Sequence, residues 1–292
     1  MRNHFKLVII DGHEAFVGGI NIGDEYIRGK PKIGPWRDTH LRVVGQPVYQ
    51  LQNIFNRNWA IAKPSRSIKH VKTFGKSNTS DAPSIPSSRL NVPWNTAMGS
   101  TQAGRNKSEW YEAYVQTVEN RPDNPARNVH HLSFFCHTLA MRSLNITTPY
   151  FIPSPDLVSA LKAASIRGIR VRLLLPRHNN KIVRYASQAY YEELLKSGVE
   201  IYLYDKGVLH AKVLTVDEEV SVLGTANFDL RSFLLDYEVC EVVYSREVAR
   251  QLTDQFERDL SESILLNLED FRERPRWERV LEQGALLLAP LL

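Results

Sequence analysis

The stretch His210-Ala-Lys-Val-Leu-Thr-Val-Asp217 organises this chain, because its pattern of His, one residue, Lys, four residues, Asp recurs at His4, Lys6 and Asp11. The match runs on. Seven positions after each Asp comes a Gly, and three after that an Asn, giving Gly18 and Asn21 in the first copy and Gly224 and Asn227 in the second. Five positions repeat at a constant offset of 206 residues. Chance rarely produces that register for polar and glycine identities, so the two stretches read as copies of one duplicated unit.

Each copy has the pattern of a β-hairpin. Lys6 to Ile10 and Ala15 to Val17 are apolar runs around the turn Asp11-Gly12, and Lys212 to Val216 and Val220 to Leu223 flank Glu218-Glu219. Such runs predict hairpins buried on both faces. Residues two apart on a strand share a face, so His4 projects with Lys6 and His210 with Lys212. The returning arms are expected to bring Asn21 beside His4 and Asn227 beside His210.

Two such clusters suit attack on a phosphodiester. That reaction needs a nucleophile, a proton donor for the leaving alcohol, and positive charge on the non-bridging oxygens as they gain density. One imidazole can attack phosphorus while the other moves protons. Lys6 and Lys212 supply charge, Asn21 and Asn227 neutral phosphate-binding donors, and Gly18, Gly19 and Gly224 room near the phosphate. Asp38 and Glu238, each on the strand after its hairpin, are candidates to orient the imidazoles through their other nitrogen. Asp11 and Asp217 belong to the motif, although their place at the hairpin turns also suits fixing the loop. His40, two residues after Asp38, could border the site or simply pack. The spacing implies no metal and no cofactor, since Lys takes the charge role and His-x-Lys is not a ligand spacing.

The rest of the chain predicts an α/β fold. Trp36 to Gly45 reads as a strand and Pro47 to Trp59 as an amphipathic helix. Residues 63–129 read as an irregular linker, with at most one short helix around Glu109 to Val118. From His130 a helix precedes a β-α-β-α-β series: Asn145 to Ile152, Pro155 to Ile166, Ile169 to Leu175, Tyr185 to Lys196 and Val199 to Tyr204. That alternation predicts a mixed sheet with helices on its faces. The aromatics Phe134, Phe135, Tyr150 and Phe151 read as core, and the tail after Trp277 as a docked end.

Of the 292 residues, 43% are hydrophobic, enough for a substantial core, and the formal charge is +5 with a pI near 9.1. So mild an excess suits an anionic surface and gives nucleic acid no special support. Two cysteines in no metal-like spacing argue against a disulfide scaffold. No run reaches the ~18 to 20 apolar residues that span a bilayer.

At these motifs the sequence resembles the phospholipase D superfamily, and within it the bacterial cardiolipin synthases. The resemblance rests on the duplicated His-x-Lys pattern, Ala15-Phe-Val-Gly-Gly-Ile-Asn21, Trp36-Arg-Asp-Thr-His40, Thr147-Thr-Pro-Tyr-Phe-Ile-Pro153, Gly224-Thr-Ala-Asn227, Arg231-Ser-Phe233 and Ala289-Pro-Leu-Leu292. It implies two lobes, each a mixed β-sheet flanked by helices. Residues 1–62 would form the C-terminal part of an incomplete first lobe and 130–292 the second, the chain being N-terminally truncated relative to the family. It also implies metal-free transfer of a phosphatidyl group from one phosphatidylglycerol to another, with His4 as nucleophile and His210 as acid and base, although the symmetry of the two motifs leaves the reverse order open. The partners implied are anionic phospholipid and a membrane surface on which this form is peripheral; separately, a sheet that has lost its neighbouring strands leaves room for pairing with a second copy of the chain. A hydrolytic phospholipase D and an inactive, lipid-binding remnant are the alternatives.

Overall fold

The computed structural model describes residues 2–62, 88–95 and 110–288. The first hairpin is β1 (Leu7–Ile10) and β2 (Glu14–Gly18), followed by a helical turn α1 (Glu25–Arg28), the short β3 (Trp36–Arg37), β4 (Thr39–Val44) and helix α2 (Gln46–Ala62). Next come β5 (Ser88–Asn95), β6 (Tyr111–Asn120) and α3 (Asn128–Leu139). The predicted alternating series appears as β7 (Ser143–Thr147), β8 (Phe151–Ile152), α4 (Pro155–Ile166), β9 (Arg170–Pro176), α5 (Lys181–Gln188), α6 (Tyr191–Lys196) and β10 (Glu200–Tyr204). The second motif follows as β11 (Val208–Leu209), β12 (Val213–Val216), β13 (Val220–Gly224) and β14 (Phe228–Asp229), then α7 (Leu230–Leu234), β15 (Glu238–Tyr244), α8 (Arg246–Ser261), β16 (Ser263–Leu265), α9 (Leu268–Arg272) and α10 (Arg276–Leu287).

Twelve of these strands form one mixed sheet in the order β1-β2-β4-β5-β6-β15-β13-β12-β7-β9-β10-β16. The duplication is visible in it. β1, β2 and β4 pair antiparallel as β12, β13 and β15 do, and Gly18 faces His40 where Gly224 faces Cys240. Each third strand leads into a long helix, α2 or α8. Val48, Leu51 and Ile54 of α2 and Val248 and Leu252 of α8 share one apolar cluster with Ala15, Val17, Leu41, Val43, Leu223, Val239 and Val243. The larger cluster lies in the second half, under α3, α4 and α6.

Several sequence readings change. Residues 88–95 and 111–120, read as irregular with a short helix, are strands that join the two halves of the sheet. The run expected over Asn145 to Ile152 is broken at Thr148-Pro149-Tyr150, and the helix expected over Tyr185 to Lys196 is two helices. The first hairpin is not buried on both faces. β12 lies between β13 and β7, whereas β1 is an edge strand whose Val8 and Ile10 are about half exposed. Phe135, expected in the core, is 58% exposed.

Candidate active site

Outside the large sheet, two short parallel contacts bring the motifs together. Val208 and Leu209 pair with Trp36 and Arg37, and Asn3 bridges to Tyr237. The backbone N–H of His210 donates to Arg37 O at 2.8 Å and that of His4 to Tyr237 O at 3.1 Å. Each histidine is thereby laid against the residue that precedes the other half's carboxylate. His4 Nδ1 lies 2.8 Å from Glu238 Oε1, and His210 Nδ1 2.8 Å from Asp38 Oδ2. Asp38 and Glu238, the carboxylates proposed from the sequence to orient the imidazoles, each lie within hydrogen-bond reach of one, but the contacts are crossed: neither reaches the histidine of its own hairpin.

Both carboxylates are fully buried. Asp38 also accepts from the Thr39 N–H at 2.8 Å, and Glu238 accepts from Thr225 Oγ1 at 2.5 Å and Ser232 Oγ at 2.8 Å. An acceptor at Nδ1 fixes the proton there and leaves Nε2 to face substrate. Lys212 Nζ also lies 3.1 Å from His210 Nδ1. A nitrogen that donates to Asp38 cannot accept as well, so the ammonium's bond there is the 2.5 Å one to His210 O. Lys6 Nζ matches it, donating to His4 O at 2.8 Å.

The electrostatics tie the motifs into one site. Burial lowers the Lys6 ammonium to about 8 against the pull of Glu238, Asp38 and Asp236. Lys212 is likewise lowered to about 8 by burial, with Asp38 opposing and Lys6 assisting. His210 falls to about 4 through burial and then the Lys212 charge, with Asp38 opposing. At neutral pH it is an uncharged imidazole.

Other expected residues act differently. Asp217 lies seven residues beyond His210, roughly 20 Å along an extended strand. There it accepts from the backbone N–H groups of Met141, Arg142 and Ser143 at 2.7–2.9 Å and fixes the start of β7. Asp11 occupies the matching turn, and both Asp residues have positive φ (51° and 56°). The structure therefore sets both away from the imidazoles. The glycines make room for strands instead of phosphate: a Cβ on Gly18 would come within 2.4 Å of Thr39 O, one on Gly224 within 2.2 Å of Val239 O, and one on Gly19 within 2.1 Å of Asp38 Oδ1. Asn21 donates to Tyr26 Oη. Asn227 bonds to the Asp229 side chain, and its buried Oδ1 has no partner among the described residues, so the free atom is an acceptor where a donor was expected. His40 is buried, lowered to about 4 by burial, and its Nδ1 accepts from Ile20 N at 3.4 Å, which makes it a packing residue.

Sequence reading missed Thr225 and Ser232, which hold Glu238, and the Tyr26–Trp36 wall. Thr225 occupies the position of Gly19 in the other copy, and that exchange matches the longer Glu238 opposite the shorter Asp38. The Trp36 and Tyr26 rings stand 5.3 and 6.0 Å from the His210 ring. They also line a pocket of about 370 Å³ completed by Ile27, Arg28, Gly29, Lys30, Pro31, Gly34 and Pro35. Asp38 lies 17 positions after Asn21, whereas Glu238 lies 11 positions after Asn227. The pocket is built by that longer segment, next to the two rings that face His210.

The family profile described as "Cardiolipin synthase, PLD-like domain" matches residues 137–260. Over 292 residues the chain is 41% identical to Cardiolipin synthase 2 of Bacillus anthracis, covering 100% of this chain and 51% of that protein. It is 37% identical over 295 residues to the Major cardiolipin synthase ClsA of Bacillus subtilis, covering 100% and 55%. The chain thus spans about half the length of these curated relatives. Among solved structures, phosphatidylserine synthase from Haemophilus influenzae superposes with a TM-score of 0.50 at 16% identity, over 63% of this chain and 50% of that one, a likeness of fold. Residues 137–260, which carry the second motif, thus match the PLD-like domain profile of cardiolipin synthases, and the whole chain is similar to about half of each of these two synthases.

Proposed function

We propose that the chain is the catalytic part of a phosphatidyltransferase that converts two phosphatidylglycerol molecules to cardiolipin and glycerol through a phosphohistidine. The observation that carries this reading is the crossed pair of histidine–carboxylate contacts, with one buried lysine beside each. In the first step His4 Nε2 attacks the phosphorus of one phosphatidylglycerol, the P–N bond forms, and the P–O bond to glycerol breaks. The departing oxygen takes a proton from His210. In the second step the headgroup hydroxyl of another phosphatidylglycerol gives its proton to His210, its oxygen attacks phosphorus, and His4 leaves.

His210 is neutral in the free site; the bound substrate anion offsets the Lys212 and Lys6 charges, and the imidazole then takes up from water the proton that it gives to the leaving oxygen. Each ammonium has three donors and spends one on a histidine carbonyl, leaving two for phosphate oxygens. The pocket beside His210 holds first the leaving glycerol, which His210 protonates, and then the glycerol headgroup of the second phosphatidylglycerol, which His210 deprotonates. A twofold arrangement otherwise treats the two histidines alike; the pocket beside one of them tells them apart.

Labelled phosphatidylglycerol tests the reading. Cardiolipin formation that His210→Ala abolishes is expected, with a phosphatidyl adduct on His4 after acid-free quenching. Phosphatidic acid without cardiolipin would assign hydrolysis instead, and lipid binding with neither adduct nor turnover would make the chain a noncatalytic lipid binder.

A further inference from the structure

Resting on the reading that the substrate is an anionic membrane lipid, we propose that α10 is a docking helix that lies flat in the headgroup region of an anionic bilayer. One face of α10 is committed to the protein. Glu282 and Ala285 are buried. Arg274 grips the Glu282 carboxylate at 2.8 Å through both Nε and Nη2, and Ala285 packs with Ile152, Val183 and Ala186.

The opposite face is apolar and bare. Trp277, Val280, Leu281, Leu287 and Leu288 are 57%, 71%, 44%, 83% and 42% exposed. They fall at i, i+3, i+4, i+10 and i+11, a single helical stripe. At the i+7 position stands Gly284, where a Cβ would meet nothing within 4 Å. Arg276 and Arg279 are exposed along one flank of the stripe, and Glu278 is half-buried toward the protein side. Arg276 has no ion pair among the described residues. The adjoining start of α5 adds exposed Lys181 and Ile182.

The arginines decide the occupant. Anionic headgroups pair with Arg276 and Arg279 while Trp277 and the aliphatic side chains enter the acyl boundary, a charge complementarity that a second copy of this basic flank does not offer. At 12 residues α10 is far too short to span a bilayer, and no described helix is long and apolar enough to do so. The placement suits catalysis. Ala285 packs on Ile152, which pairs with Asp229, two residues beyond Asn227, so a bilayer under α10 lies close to the site.

Co-sedimentation of the whole chain with large unilamellar vesicles tests this, comparing phosphatidylcholine alone with phosphatidylcholine containing phosphatidylglycerol. Val280→Asp with Leu287→Asp, and separately Arg276→Glu with Arg279→Glu, are each expected to weaken binding to the anionic vesicles roughly tenfold or more. Neither pair touches the catalytic groups, so turnover of a short-chain phosphatidylglycerol below its micelle concentration should be unchanged. Anionic-vesicle affinity equal to the parent's in both variants overturns the proposal. So does a parent dimer lost in the aspartate variant, which would assign the stripe to a second copy. Turnover of the soluble substrate without vesicle binding removes the docking role and keeps the enzyme; stripe-dependent vesicle binding without turnover does the reverse.

Discussion

A carboxylate that accepts from Nδ1 decides which ring nitrogen meets the substrate, so the crossed contacts His4–Glu238 and His210–Asp38 make a sharp prediction about coupling. Asp38→Asn and Glu238→Gln keep the shape but no longer enforce the tautomer, and each should lower kcat roughly 10²- to 10⁴-fold with little change in fold, read by circular dichroism beside the transfer assay. Combining Asp38→Asn with His210→Ala should add little to the histidine loss, because the two act as one unit; the same should hold for Glu238→Gln with His4→Ala. The lysines set the alkaline limit. Their charge is required and their ammonium pKa values lie near 8, so kcat/KM should fall as pH rises through about 8, well below the ordinary lysine value of 10.5. A pH profile that stays flat to pH 10 would remove them from that role.

Among the elements, the pairing of β2 with β4 and of β13 with β15 depends on glycines whose missing Cβ lets a neighbouring strand approach. Gly224→Ala sets a methyl against the backbone of Val239 and should cost about 1–3 kcal/mol in chemical denaturation. Gly19→Ala meets the Asp38 carboxylate, so its larger effect should be on kcat. The same strands show what a sequence makes legible. α2 and both hairpins follow from local periodicity, and the five-position repeat pointed to both histidines and both lysines, while the strand after each hairpin pointed to Asp38 and Glu238. The cross-connection did not follow, because β3–β11 pairing joins residues 172 apart and leaves no trace in any local pattern. β6 was misread for a nearer reason. In Tyr111-Glu-Ala-Tyr-Val-Gln-Thr-Val-Glu-Asn120 the glutamates and Gln116 fall among apolar residues at spacings that also suit a helix, and the strand is fixed by β5 and β15 on either side. The two motif aspartates recur as faithfully as the histidines but do turn-making work, which repetition alone cannot separate from catalysis.

For the molecule as a whole, buried titratable groups tilt stability in opposite directions. Glu241, in mid-sheet with Thr117 Oγ1 donating to it at 2.9 and 3.1 Å, is raised to about 8 by burial and holds a proton at neutral pH. Its folded pKa exceeds the unfolded value of 4.5, so its contribution is full below about pH 4.5 and is lost as pH rises through about 8. His40, His137 and His210 are lowered by burial to about 4, 3 and 4, so theirs is full above pH 6.5 and is lost as pH falls toward 4. Glu241→Gln should raise the melting temperature at pH 7.5, with a gain that shrinks toward pH 4.5; a gain independent of pH would mean that the carboxyl is not protonated in the fold. The crossed wiring also has a consequence in time. Each hairpin can close early from neighbouring residues, but His4 reaches Glu238 only across 234 positions of chain, and such distant closures are slow. A molecule that has formed its helices and hairpins without joining its ends therefore has two unsteered imidazoles. If the proposed transfer reaction holds, the interlock withholds it until the two ends have joined, and activity is expected to return last on refolding.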